Sequence, residues 1–229
     1  MVDRPILFSA PMVRALLEGR KTQTRRAIKP QPTGRIDPLV SFNHGRMEIA
    51  FGPDMRDKDG GPKWWRPLAQ AGDRLWVREA CAIVGTVDPG FVLYRADGYE
   101  SECIRHGFDK PFPPEAEARW RPSIHMPRWA SRITLEVIDV RVERLQDISE
   151  ADAIAEGCTQ ALADEIMQVE ELAVYASTHI LCPEARARIL FETLWDQVNG
   201  PSSWEANPWV AAYTFNVISR NIDQIEVAA

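Results

Sequence analysis

The spacing of short apolar runs is what most limits the architecture of this chain. Residues 6–8, 74–80, 91–95, 133–142 and 209–218 each read as a strand, with one candidate hairpin around 46–51. The run at 74–80 alternates apolar and charged residues as a half-buried strand does, and 133–142 is the clearest strand of the set. Between them lie short helices and irregular stretches, with few of the long helical crossovers that a parallel sheet demands. The strands are too few for a sandwich. The expected fold is therefore α+β: a small mixed β-barrel with short flanking helices.

Helix boundaries can be read from their end signals. Residues 11–18 form a helix with Pro11 in its first turn and Gly19 just past its end. Residues 149–156 form another, with Ser149 as N-cap, Asp152 at the third helical position and Gly157 as the stop. The acidic stretch 161–177 reads as helical. Residues 183–198 form an amphipathic helix, its apolar side built from Ile189, Leu190, Leu194, Trp195 and Val198, and Gly200-Pro201 ends it. Two variable stretches, about 33–70 and 97–119, read as insertions, and about 161–198 as a helical elaboration. The expectation is one elaborated domain over 1–229, without internal repeats, and its 45% of hydrophobic residues suffices for a core.

Residues 19–26, Gly-Arg-Lys-Thr-Gln-Thr-Arg-Arg, stand out against a net charge of -6. Arg14, Arg20, Lys21, Arg25, Arg26, Lys29 and Arg35 form a local basic patch opposed by Glu18. A long polyanion partner usually meets a chain that is basic overall, so this patch is the feature that keeps nucleic-acid binding in play. Lys21 and Thr24 are three residues apart, and a turn or helical bend would bring their side chains together, whereas a strict strand would separate them. A threonine hydroxyl becomes a nucleophile when a base removes its proton, and a lysine flanked by Arg20, Arg25 and Arg26 can do so. Left protonated, the same lysine would bind an anionic ligand; both states stay open at this point. Glu156 is slightly anomalous, because a carboxylate is disfavoured at a helix C-terminus.

The stretch 120–132 joins aromatic, proline and basic residues. Arg121, Ser123, His125 and Arg128 are candidate ligand contacts there, with Trp129 assigned to the core. Trp76 reads as packed, whereas Trp64 and Trp65, in a polar stretch, are candidates for an exposed aromatic surface. Cys81, Cys103, Cys158 and Cys182 are scattered and read as free thiols. His125 has no second ligand at metal spacing, so no metal is expected, and no dinucleotide or Walker loop implies a cofactor. No apolar run approaches the ~20 residues of a membrane span, and the first residues do not resemble a signal peptide. No membrane partner and a cytoplasmic location are the expectation.

The order of these motifs resembles the ASCH domain family, in its longer form found in phages and prophages. The likeness rests on Gly19–Arg26, on Gly-Asp-Arg-Leu-Trp-Val-Arg-Glu at 72–79, on the strand at 133–142 and on Ile-Ser-Glu-Ala-Asp-Ala-Ile-Ala-Glu-Gly at 148–157. It implies a barrel of PUA-like type, in a family regarded as RNA-binding. A short bacterial branch hydrolyses N4-acetylcytidine with a lysine and a threonine of its R-K-T-x-T segment and a glutamate after the central strand. By that resemblance Lys21, Thr24 and Glu156 are catalytic; Arg20, Arg25, Arg26, Arg121, Ser123, His125, Arg128, Trp64 and Trp65 are the expected substrate or nucleic-acid contacts. The expected function is an amidohydrolase acting on a modified, N4-acylated cytidine nucleoside or base. The rival is a non-catalytic module that binds RNA or modified nucleic acid. This chain is about twice as long as that branch, so substrate size does not carry over with the residues.

Overall fold

A computed structural model of the chain describes residues 1–32, 38–43, 46–51, 64–85, 90–109, 115, 118–159 and 186–226. The expected helix at 161–177, Cys182 and parts of both insertions lie outside these residues. In chain order the elements are β1 (Asp3–Leu7), α1 (Ala10–Leu17), β2 (Gln23–Ala27), β3 (Pro38–Asn43), β4 (Arg46–Phe51), β5 (Trp64–Trp65), β6 (Arg74–Arg78), β7 (Cys81–Val84), β8 (Phe91–Tyr94), α2 (Tyr99–Arg105), β9 (Thr134–Arg144), α3 (Glu150–Ala155), α4 (Arg186–Asn199) and β10 (Trp209–Ile218). The fold is mixed α+β with a mostly antiparallel main sheet and few helices. Among the described residues no sheet closes on itself. None of the helices among them is long and apolar enough to cross a membrane.

The chain divides into two compact units, each assembled from separate segments. The first comprises Met1–Gly19, Asp73–Glu136 and Asn216–Ala229; the second comprises Arg20–Gly72 and Val137–Phe215. In the first unit β6 is central, parallel to β1 and antiparallel to the start of β9. Its middle residues Leu75, Trp76 and Val77 are all buried, so it is covered on both faces rather than half-buried as its alternation predicts. The Asn221 amide donates to the carbonyls of Arg128, Trp129 and Ser131, which pins the turns that precede β9. Arg132 forms forked bonds to Glu79 and Asp97 while lying 3.9 Å from the centre of the Tyr94 ring.

In the second unit β2 pairs antiparallel with β10, and β3, β4 and β5 form a separate small sheet. Leu190, Phe191 and Trp195 on α4 pack with Ala153 of α3, Leu145, Ile148, Trp204 and Val210. A helix of six residues cannot hold itself together in water, so α3 depends on this packing and on its caps. Ile28 and Ile49 form a second cluster with Met47, Trp65, Val142 and Trp209.

Candidate functional site

The two ends of α3 explain how the basic octapeptide is held. At its start the Ser149 hydroxyl accepts from the Asp152 backbone N–H at 3.1 Å, as the N-cap reading requires. At its end Gly157 takes φ 94°, a left-handed conformation that suits glycine. The Gly157 N–H then donates to the Ile154 carbonyl and the Cys158 N–H to the Ala153 carbonyl. Two further carbonyls are satisfied from the octapeptide. Thr22 N–H donates to the Ala155 carbonyl at 2.8 Å, and Lys21 Nζ donates to the Glu156 carbonyl at 2.8 Å. Lys21 thus brings a cation to the negative end of the helix, which answers the anomaly of a glutamate placed there.

The same lysine grips the Glu156 side chain, with Nζ 2.6 Å from Oε2. The other oxygen, Oε1, accepts from Arg25 Nη1 at 3.2 Å. Arg25 also donates from Nε and Nη2 to Glu143 Oε1, at 3.0 and 2.7 Å, and its Nη2 lies 3.3 Å from Asp152 Oδ2. Arg141 pairs with the other Asp152 oxygen at 3.0 Å. Side-chain exposure is 1% for Lys21, 0% for Arg25 and 5% for Glu156. Stripping water from such charges costs several kcal/mol per ion, and the alternation of cation and carboxylate offsets it.

Burial pushes the Asp152 carboxyl up, but hydrogen bonds with Gln23 and Ser149 and the charges of Arg25 and Arg141 outweigh it. Its pKa therefore lies below the ordinary aspartate value. A carboxyl lowered on folding stabilises the native state above its unfolded pKa, and that contribution is lost as pH falls through the folded value. Wild-type protein is expected to lose stability below about pH 4 more steeply than Asp152→Asn, as read from denaturation curves at stepped pH. Parallel curves would exclude Asp152 as a source of acid lability.

Thr24 lies on β2 opposite Tyr213 of β10 and is buried. Alternation along the strand puts Thr24 and Arg26 on one face, and Gln23 and Arg25 on the other. Lys21 precedes the strand, so strand geometry does not govern its direction. Burial pushes the Arg26 guanidinium below its usual pKa, with Glu156 and Tyr213 acting in the opposite sense. The Tyr213 hydroxyl accepts from the Leu68 N–H at 2.8 Å. Below Glu156, burial and the Glu156 charge push the Cys158 thiol up to about 12, so it stays uncharged at neutral pH.

Of the residues marked in the sequence, Lys21, Thr24, Glu156, Arg20, Arg25 and Arg26 fall in the second unit. Lys21 and Glu156 are in direct contact, and Arg20 Nη1 lies 3.4 Å from Thr159 Oγ1. Arg25, expected as a ligand contact, has its guanidinium enclosed by carboxylates, because a buried charge must be paired. Trp64 is exposed, but Trp65 packs into the Ile28–Ile49 cluster, since adjacent strand residues point to opposite sides. Arg121, Ser123, His125 and Arg128 belong to the first unit. Arg121 and His125 are exposed there, while Arg128 is tied to Asp3 and Asp223. Trp129, expected in the core, is 48% exposed; its short turn buries Ala130 instead. Among the described residues no group of three or more His, Cys, Asp or Glu could hold a metal ion.

Sequence reasoning missed Glu143 and Asp152 as members of this cluster. The signal available for them was a deficit: four cations in an octapeptide that runs into a β-strand call for carboxylates, and a polar β9 end and an acidic α3 supply them. Comparison with protein-family models, with curated proteins and with solved structures yields no match.

Proposed function

We propose that this chain is an ASCH-type amidohydrolase of PUA-like barrel architecture, acting in the cytoplasm on an N4-acylated cytidine nucleoside or base. The observation that carries the reading is the 2.6 Å contact of Lys21 Nζ with Glu156 Oε2, made across 135 residues of sequence; Thr24, three residues from Lys21, is buried. Glu156 orients Lys21, which serves as the base. Thr24 Oγ1 adds to the acyl carbon as its proton moves to Lys21 Nζ. The C–N bond of the adduct breaks as Lys21 returns a proton to N4, which leaves as the cytidine amine. Water then attacks the threonyl ester, its hydroxyl going to the acyl carbon and its proton to Thr24 Oγ1, which releases the carboxylic acid and restores the Thr24 hydroxyl. Atoms balance as amide plus water to amine plus acid.

The enclosure of Lys21 and Arg25 favours this reading over the nucleic-acid module. A polymer is held by many exposed phosphate contacts, and two of the four cations of the octapeptide face inward. The test is incubation with N4-acetylcytidine, with cytidine and acetate followed by chromatography. Release by the wild type, slowed about a hundredfold in Thr24→Ala, is expected. Absence of release, or equal release by the variant, defeats the proposal. Salt-dependent RNA retention weakened by replacing Arg20 and Arg26, without turnover, would favour the binding module instead.

A further inference from the structure

The contact between Lys21 and Glu156 is one half of a larger arrangement. Glu156 offers its second oxygen to Arg25, so a single carboxylate is shared by two cations. Arg25 itself has no exposed side-chain surface through which to meet a substrate. Its donors go to the Glu143 carboxylate on β9, to the Glu156 carboxylate at the end of α3, and to the Gln23 side-chain oxygen on its own strand. A guanidinium is a rigid planar fork, so once Nε and Nη2 are fixed on Glu143, the direction of Nη1 is fixed as well. That direction determines where Glu156 Oε1 sits, and hence that Oε2 faces Lys21.

We propose that Arg25 is the positioning residue of this site. It holds the Glu156 carboxylate in register with Lys21, and by sharing that carboxylate it weakens the hold of Glu156 on the lysine proton. The proposal rests on Lys21 serving as the base, since a lysine paired with an unshared carboxylate would keep its proton more firmly. The other charged or titratable groups around the pair are Arg26 on β2, Arg141 and Glu143 on β9, Glu150 and Asp152 on α3, and the Cys158 thiol beyond it. Arg25 bonds to Glu156 and to β9 together.

Two measurements on the full chain test this. In the first, lysine is labelled with carbon-13 at Cε, and the Lys21 signal is identified by its loss in Lys21→Met, against Lys29, Lys58, Lys63 and Lys110. In Arg25→Gln the titration of the Lys21 signal is expected to move upward by about one pH unit, because Glu156 and the deserted Glu143 and Asp152 then stabilise the ammonium. Arg25→Lys keeps a charge but not the fork, and a smaller shift in the same direction is expected. Should Arg25→Gln fail to fold, Arg25→Lys decides. A Lys21 signal that stays at its wild-type position in every folded variant overturns the proposal.

The second measurement uses turnover of N4-acetylcytidine. Arg25→Lys is expected to lower kcat about tenfold, to leave KM within about twofold, and to move the acid limb of the pH profile upward. A loss of kcat with an unmoved limb would mean a merely structural arginine and would also overturn the proposal. If the wild type releases no cytidine, the hydrolase reading fails on that count alone, and the labelled-lysine titration still decides whether Arg25 governs the lysine proton.

Discussion

Arg25→Met is expected to remove about 3–5 kcal/mol of stability and to lower the melting temperature by about 10 °C. Methionine keeps much of the length and apolar bulk of the arginine, so packing beneath Phe191 changes little. What changes is charge. Glu143, Asp152 and Glu156 lose a shared cation, and Lys21 and Arg141 remain to face them. An enclosed carboxylate without its partner bears its full desolvation penalty, which exceeds the modest net value of the pair itself. Adding Glu143→Gln to Arg25→Met should restore part of the loss, because it removes one uncompensated charge. Urea denaturation and calorimetry of the single and double variants measure this. A loss below about 1 kcal/mol would mean that the carboxylates turn out to water once the arginine is gone, and that the cluster is loosely held.

Which features were legible in the sequence follows from what local pattern can encode. Pro11 and Gly19 mark the ends of a helix, and α1 lies within one residue of the predicted span because both residues act through their own backbone. The span of β10 is as predicted, since its apolar run is bounded by turns on both sides. β9 runs two residues past the predicted end. Its last two residues are polar, and hydrophobic periodicity stops where they begin. Glu143 stays in the strand because it receives Arg25, and Arg144 because its guanidinium lies 4.7 Å from the centre of the Trp209 ring. The site divides in the same way. A short spacing pointed to Lys21 and Thr24, and a helix-end position together with the family resemblance to Glu156; Lys21 and Glu156 meet. Arg25 read as a ligand contact as one cation of the basic octapeptide, and its Glu143 partner lies 118 residues away in sequence. Pairing at such separation leaves no trace in a local pattern. Trp129 shows the converse, where size suggested burial and a tight turn directed the ring outward.

The second large effect is expected at Lys21, where ion pair and helix cap can be separated by a double-mutant cycle. Lys21→Met removes both bonds of Nζ and is expected to cost about 3 kcal/mol. Glu156→Gln removes the carboxylate charge but leaves the Glu156 backbone carbonyl as an acceptor for Lys21, and should cost about 2 kcal/mol. If the side-chain pair holds the octapeptide to α3, the double variant will be more stable than the two losses added together predict, by about 1–2 kcal/mol. What Lys21→Met still removes in the Glu156→Gln background is the capping bond at the helix C-terminus, on the order of 1 kcal/mol. Strict additivity would mean that the charged contact adds nothing, and that Lys21 is retained as a cap alone. In that case the geometry that singles out Lys21 as a base would be an accident of helix termination. A coupling of the expected size ties the two contacts together, because one ammonium reaches the carbonyl and the carboxylate of the same residue.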